Sequence, residues 1–237
     1  MLFDWSYEKI EYFAAASEYT GFHKKLAKYI LPHLSQEDDL IDVGCGLGLI
    51  DFELASEVNS ITAIDENSKV IESLAEQVKK RGVKNIFPKV KDFNDIIENK
   101  WDILLLSFFG EPDDTMKALI DGVQKKTILI THGQDNEPLH SKVLPLVRTV
   151  FLPELEDYFV EMNYNYTKQN IIMDFGQPLK SMDDAICFLD SYALQEDPIE
   201  KKERLDTMLS RLVETDNEKY PLFLPKERCI SILVMEK

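Results

Sequence analysis

The sequence predicts an α/β fold in which a doubly wound, mostly parallel sheet carries helices on both faces. From residue 39 onward, short and nearly continuous apolar runs alternate with stretches of helical periodicity, as in buried parallel sheets. The first of these runs ends in a loop with three glycines in five positions, 44–48. Glycine weakens a backbone element, so such a cluster indicates positive φ angles or a ligand held close to the main chain. The 237 residues, 44% of them hydrophobic, are enough for one large domain.

Each element follows from a local pattern. Residues 7–33 have apolar residues at helical spacing and predict two helices, broken near Thr20 and Gly21. The alternating region then predicts, in order, strand 40–44, helix 48–57, strand 60–65, helix 67–81, strand 85–90, strand 101–107, helix 113–122 and strand 126–133. The remaining residues predict helices at 139–148 and 153–163, a strand at 168–175, a polar helical insert at about 181–217 and a last strand at 228–237.

The composition limits the possible classes of function. There are 43 acidic residues against 27 basic ones, and the resulting formal net charge of -16 disfavours non-specific binding to nucleic acid. The three cysteines (Cys45, Cys187 and Cys229) are far apart, which argues against a disulfide framework or a structural zinc site. No secretory signal pattern and no apolar run of about 20 residues is visible. We therefore expect a soluble, cytoplasmic protein without a metal site.

A basic cluster at 79–81 allows two interpretations. Lys79, Lys80 and Arg81 precede Gly82 at the end of a predicted helix, where cations complement the helix dipole. The alternative is an RNA-contacting patch that also includes Lys84, Lys89 and Lys91. The helix-end interpretation is favoured.

The glycine loop, "DVGCGLG" at 42–48, follows a strand and leads into a helix, the context in which such a loop binds a ligand. The dinucleotide fingerprint needs a small residue where Leu49 stands, and the lysine of a phosphate-binding loop is missing. Asp42, just before the loop, suits a ligand with an ammonium group better than a pyrophosphate. A nicotinamide-dependent oxidoreductase is therefore disfavoured.

This loop resembles the D/E-x-G-x-G-x-G motif of the class I S-adenosylmethionine-dependent methyltransferases, which have a Rossmann-like, seven-stranded sheet. Asp65 ends the second strand, 21 residues after Gly44, where the family has an acid that binds both ribose hydroxyls. Asp92 and Phe93 follow the third strand, where family members contact the adenine amino group and ring. Glu66 is a further candidate on the adenine side. The resemblance covers residues 38–135 firmly and the C-terminal strands more loosely.

The resemblance implies S-adenosylmethionine as the cofactor. The cofactor-binding residues it implies are Asp42, Gly44, Cys45, Gly46, Gly48, Asp65, Glu66, Asp92, Phe93, Ser107 and Phe108. Cys45 occupies a variable position of the motif and is expected to pack rather than to act as a nucleophile. Within a single domain, 1–237, we expect an N-terminal helical lid (1–38), a cofactor-binding core (39–135) and the remaining strands with a helical insert at 181–217 (136–237).

The methyl acceptor is less well specified. The segment "SFFGEP", 107–112, lacks the N/D-P-P-Y/F signature of amine-methylating nucleic-acid enzymes and the Pro-Cys nucleophile of cytosine-carbon methylation. Phe108 and Phe109 are candidates to wall a pocket, while Glu111 and His132 are candidate proton acceptors, with His132 favoured. The favoured function is a methyltransferase acting on a small molecule. The alternatives are a non-catalytic protein that binds S-adenosylmethionine or S-adenosylhomocysteine, and an RNA or protein methyltransferase.

Overall fold

The computed structural model describes residues 5–92, 101–133, 152–192 and 198–237. The strands in this part of the chain are β1 (Asp39–Val43), β2 (Ser60–Asp65), β3 (Ile86–Val90), β4 (Ile103–Ser107), β5 (Lys126–His132), β6 (Thr167–Asp174), β7 (Gln177–Leu179), β8 (Val213–Glu214), β9 (Leu222–Leu224) and β10 (Glu227–Glu236). The helices are α1 (Tyr7–Thr20), α2 (Phe22–Ile30), α3 (Asp51–Leu54), α4 (Ser68–Arg81), α5 (Asp114–Gly122), α6 (Leu152–Glu161), α7 (Met182–Tyr192) and α8 (Pro198–Leu209).

Seven of the described strands form one sheet, in the order β3-β2-β1-β4-β5-β10-β6. Strands β1 to β5 pair in parallel, and β10 runs antiparallel to β5. The strand order runs outward from β1 in one direction and from β4 in the other. The crevice at the carboxyl ends of β1 and β4 is therefore the topological switch point, where open α/β sheets bind ligands.

The predicted α/β fold with a mostly parallel, seven-stranded sheet is confirmed. Most predicted elements match the observed ones within about two residues, including the break at Gly21, which caps α1 with a φ of 65°. The predicted helix at 48–57 is shorter in the structure, where the four residues of α3 are followed by a 3₁₀ turn at Ala55–Glu57. The predicted helix at 139–148 lies outside the described residues.

The described residues divide into two compact units. The first comprises residues 5–22, 172–192 and 198–228, and the second comprises residues 23–92, 101–133, 152–171 and 229–237. The prediction of a single domain with an N-terminal lid stays a prediction.

The first unit contains a small antiparallel sheet, β7-β9-β8, that the sequence analysis did not identify. Its β8 lies inside the predicted helical insert 181–217, of which α7 and α8 form the helical part. Residues 213–214 are extended because they pair with β9 across a turn, in which Asn217 Oδ1 accepts the Tyr220 N–H at 3.0 Å. The buried core of this unit includes Leu179, Ala185, Phe188, Leu189, Met208 and Leu224.

The second unit is built on the parallel strands, whose apolar runs are buried on both faces. In β4, Ile103 to Leu106 are all at most 1% exposed, which accounts for the lack of polar alternation in this strand. Helices α5 and α6 contribute Met116, Leu119 and Phe159 to the same core. No helix in the described ranges is both long and apolar enough to cross a membrane.

The basic cluster 79–81 lies in the last turn of α4, as the helix-end interpretation predicts. Gly82 caps the helix in the left-handed conformation, with a φ of 68°. The Arg81 guanidinium lies over the Phe52 ring, 4.1 Å from its centroid. The cluster therefore has a structural explanation within its own unit.

Candidate active site

The glycine loop between β1 and α3 turns through left-handed backbone. The φ angles of Gly44, Gly46 and Gly48 are 72°, 52° and 58°. The N–H groups of Gly44 and Cys45 both donate to the carbonyl of Ile64, at 2.9 and 3.0 Å, which fixes the loop against the end of β2. The loop therefore presents bare main chain at the switch point of the sheet.

Close contacts require glycine at two of these positions in addition to the φ angles. A Cβ atom at Gly44 would lie 2.1 Å from the ring of Phe109, which follows β4. A Cβ atom at Gly48 would lie 2.7 Å from Leu74 of α4 and 2.9 Å from Oδ2 of Asp51. These contacts join the loop to the end of β4 and to the side of α4.

Asp65, at the end of β2, contacts the glycine loop directly. Its Oδ2 accepts the Gly46 N–H at 3.0 Å, and its Oδ1 accepts the Asn67 N–H at 2.9 Å. The carboxylate is half-buried at the carboxyl edge of the sheet. Each oxygen keeps a free lone pair, so the group can still accept hydrogen bonds from two neighbouring hydroxyls of a ligand.

A pair of buried acids, Asp42 and Asp51, lies beneath the glycine loop. Both side chains are 0% exposed. The pKa of Asp42 is raised to about 7: burial is the largest cause, a hydrogen bond with Asp51 acts in the opposite direction, and the negative charge of Asp65 adds to the rise. Burial also raises the pKa of Asp51 well above its usual range, as does the charge of Asp42.

Cys45 has no reactive character in this loop. Burial raises the pKa of its thiol well above the usual range, and the charges of Asp42, Asp51 and Asp65 raise it further. The thiol therefore stays protonated at neutral pH, and a thiol is a much weaker nucleophile than a thiolate.

Two of the predicted adenine-side residues, Glu66 and Asp92, lie at the neighbouring edge of the sheet. Asp65 pairs in register with Val90 of β3, so Asp92 follows two residues beyond that pair. Glu66 and Asp92 are both exposed. Phe93 lies outside the described residues, so the structure says nothing about its predicted role.

An aromatic residue and a histidine meet at the carboxyl ends of β4 and β5. Phe108 follows the half-buried Ser107 and has a φ of 55°, a strained angle for a bulky side chain. Its N–H donates to the Ile130 carbonyl at 2.8 Å, and its ring centroid lies 4.8 Å from that of His132. Glu111, the other candidate proton acceptor, is exposed in the segment before α5.

Two residues contribute to this site in ways that the sequence analysis did not predict. Asp51 has no place in the motif, although an acid three residues after the last glycine, in an otherwise apolar stretch, was a usable signal. Phe109 was identified only as a candidate pocket wall, whereas its ring lies against Gly44.

The described residues contain no group of three or more His, Cys, Asp or Glu side chains suited to hold a metal ion.

These features fit a nucleoside ligand that carries an ammonium group. Asp65 offers two acceptor oxygens, the loop offers bare backbone, and apart from each other the carboxyls of Asp42 and Asp51 have no hydrogen-bond partner among the described residues. A buried carboxylate without a partner is costly, so a cation nearby would stabilise it.

Comparison with known proteins agrees with this geometry. Residues 34–151, about half of the chain, match the family model described as a methyltransferase domain. A candidate methyltransferase from Bacillus halodurans C-125 superposes with a TM-score of 0.60 at 11% identity, over 90% of this chain and 98% of that one. The YcgJ protein from Bacillus subtilis gives a TM-score of 0.58 at 15% identity, over 90% and 98% of the two chains. Precorrin-6y C5,15-methyltransferase from Geobacter metallireducens GS-15 gives 0.53 at 11% identity, over 90% and 89%.

Proposed function

We propose that this chain, which belongs to the class I S-adenosylmethionine-dependent methyltransferases, methylates an oxygen or nitrogen atom of a small organic molecule. The observation that carries the proposal is the contact between Phe108 and His132. It combines an aromatic face with a titratable imidazole at the carboxyl edge of the sheet, in the same compact unit as the glycine loop.

We assign the cofactor to the carboxyl ends of β1 to β4. Asp65 accepts the ribose hydroxyls, and Asp42 supplies negative charge near the ammonium group. Glu66, Asp92 and Phe93 serve the adenine side. The main chain of the glycine loop (Gly44, Cys45, Gly46 and Gly48) and the residues that end β4 (Ser107 and Phe108) complete the set. When bound, S-adenosylmethionine supplies a methyl group on a positively charged sulfur.

His132 is assigned as the proton acceptor. An oxygen or nitrogen acceptor that takes up the methyl group would lose a proton. An imidazole nitrogen takes up the proton that the acceptor atom loses. The Phe108 ring excludes water and offers an aromatic face to the sulfonium, a contact worth about 0.5–2 kcal/mol. Glu111 is a weaker assignment because its side chain is exposed.

Two observations support a small acceptor. The net charge of -16 repels the phosphate backbone of nucleic acids. In addition, the basic cluster of α4 is explained by its position at a helix end, next to Phe52. One protein of the same fold, the precorrin-6y C5,15-methyltransferase, acts by its name on a small molecule.

Methyl transfer from labelled S-adenosylmethionine tests the proposal. A panel of small amines, phenols and carboxylic acids is assayed beside total RNA and unfolded protein. We expect label in a small acceptor and none in RNA. His132→Asn should lower kcat by about 10²–10⁴-fold, because general base catalysis contributes about that much, with unchanged affinity for S-adenosylhomocysteine. Label in RNA or protein but not in the panel, or an unchanged kcat in the variant, contradicts the corresponding part of the proposal.

A further inference from the structure

The acids Asp42 and Asp51 are buried against each other. Both are 0% exposed, and apart from each other none of their four carboxyl oxygens has a hydrogen-bond partner among the described residues. Two ionised carboxylates have acceptors only, so they cannot hydrogen-bond to each other. They also repel each other strongly in a medium of low dielectric constant. At least one of them must therefore hold a proton.

The described groups that act on this pair are not positively charged. The cross-strand neighbours of Asp42 are Ala63 in β2 and Leu105 in β4. The titratable groups that act on Asp42 are Asp51 in α3 and Asp65 at the end of β2, and the protonated Cys45 thiol lies in the loop above. Among the described residues, the local field is thus negative.

The two acids are not equivalent. Burial and the charge of Asp42 raise the pKa of Asp51 well above its usual range, and we place the proton that the pair shares on Asp51. Asp51 also begins α3 and lies against Gly48, because its Oδ2 is 2.9 Å from where a Cβ of that glycine would be. Asp51 is therefore fixed by the loop on one side and faces Asp42 on the other.

We propose that Asp51 is a positioning residue for the amino end of the cofactor: in its protonated form it donates a hydrogen bond to Asp42 and leaves that carboxylate as the negative group nearest the ligand's ammonium. The role rests on the proposed cofactor site and assigns a function to a residue outside the glycine motif. Below about pH 7 Asp42 also holds a proton in the free protein. Because a cation favours the ionised form of Asp42, binding in this range releases that proton, and the affinity for the cofactor rises with pH.

Two ligands separate this effect from other pH effects. S-adenosylhomocysteine carries the ammonium group, whereas 5′-methylthioadenosine has the same adenosine and sulfur without it. Dissociation constants are measured by calorimetry between about pH 6 and pH 8. We expect the affinity for S-adenosylhomocysteine to rise about tenfold over this range, as uptake or release of up to one proton allows, and that for 5′-methylthioadenosine to change less than about twofold.

Substitutions then test the roles of the two acids. Asp42→Asn should abolish the pH dependence of binding and lower the affinity for S-adenosylhomocysteine at least tenfold. The affinity of this variant for 5′-methylthioadenosine should stay within about twofold of the native value. Asp51→Asn keeps a hydrogen-bond donor, so its affinity for S-adenosylhomocysteine at pH 8 should stay within about threefold of the native value. Asp51→Leu has no donor, and its affinity should fall about tenfold. Asp38→Asn is the matched control, since Asp38 is also buried but pairs with Lys125 at 2.7 Å, just before β1. Its pH profile should match that of the native protein.

Equal pH slopes for the two ligands, or a native slope in Asp42→Asn, overturn the proposal. If the Asp51→Leu variant binds S-adenosylhomocysteine as tightly as the Asp51→Asn variant, a hydrogen-bond donor at position 51 has no role in binding. If no small acceptor is ever found, the proposed function fails while these binding curves stand. If neither ligand binds the folded protein at any pH, both proposals fail.

Discussion

Asp65 shapes the candidate site before any ligand is present. Its two oxygens hold the N–H of Gly46 in the glycine loop and the N–H of Asn67 at the start of α4. The same carboxylate therefore joins two segments at the carboxyl edge of the sheet, and each of its oxygens keeps a lone pair that can accept a further hydrogen bond. A side chain with both roles makes ligand binding sensitive to a single substitution.

Asp65→Ala should weaken S-adenosylhomocysteine and 5′-methylthioadenosine alike, each at least tenfold, because both ligands carry the ribose hydroxyls. Loss of two hydrogen bonds to a charged acceptor, each worth about 1.5–3 kcal/mol, supports this magnitude. Calorimetric titration measures it, and circular dichroism checks that the fold is kept. Glu72→Ala, an exposed acid on α4, controls for the loss of one negative charge. Unchanged affinity in Asp65→Ala rules out the ribose assignment.

The residues of the site differ in how far the sequence predicts them. Asp42 and the glycines are readable because a strand, a tight turn and a close ligand approach together demand those residue types. Asp51 was missed because its role depends on its contact with Asp42 across the loop, and spacing alone does not reveal such a contact. The sequence also did not predict the positive φ angle of Phe108, since aromatic residues rarely adopt a left-handed backbone conformation.

At the scale of elements, α1 and α7 are joined by one side chain in the first unit. The Tyr12 hydroxyl donates to Oδ1 of Asp184 at 2.9 Å, and its ring packs edge-on against Phe188. Oδ2 of Asp184 accepts the Lys180 N–H at 2.7 Å, so the same carboxylate fixes the start of α7. Burial and this hydrogen bond raise the pKa of Tyr12, which keeps the donor protonated.

Tyr12→Phe should lower the free energy of unfolding by about 1–2 kcal/mol, since it removes a donor to a charged acceptor and keeps the ring. For a protein of this size, the melting temperature should fall by about 2–8 °C. Tyr158→Phe is the control, because that hydroxyl donates to a neutral carbonyl, that of Asp113, in an exposed position. If both variants lose the same free energy of unfolding, the hydrogen bond to Asp184 stabilises the protein no more than the bond to a neutral carbonyl.

The elements themselves were predictable where the local signal and the tertiary contacts agree. In β4, residues 103–106 are all apolar and buried, and in β2, residues 61–64 are buried with only Thr62 polar, as burial on both faces requires. Strand β8 was missed because Val213 and Glu214 form only two residues of strand and depend on pairing with β9. Helix α3 is shorter than its apolar pattern indicated, because residues 55–57 tighten into a 3₁₀ turn before β2.

At the scale of the whole molecule, buried and surface acids act on stability in the same direction. A net charge of -16 at neutral pH disfavours the compact state through repulsion, and this repulsion grows as carboxylates ionise. The acid pair adds a local contribution of the same sign, since burial raises the pKa of Asp42 to about 7 and raises that of Asp51 as well. Separating the two contributions requires a variant that removes only the local one.

Asp51→Asn is that variant. A carboxyl whose pKa is raised by folding contributes stability that is complete below the unfolded value, about 3.9, and is lost as the pH rises through the folded value. The free energy of unfolding of the native protein minus that of the variant should therefore fall from about pH 5 to pH 8, by up to about 1.4 kcal/mol per pH unit for one proton. Urea titrations at several pH values measure this difference. Added salt at about 1 M shortens the screening length to about 3 Å and weakens surface repulsion but not a buried contact, so the fall should persist there. Parallel pH curves for the two proteins would mean that no proton is held between Asp42 and Asp51.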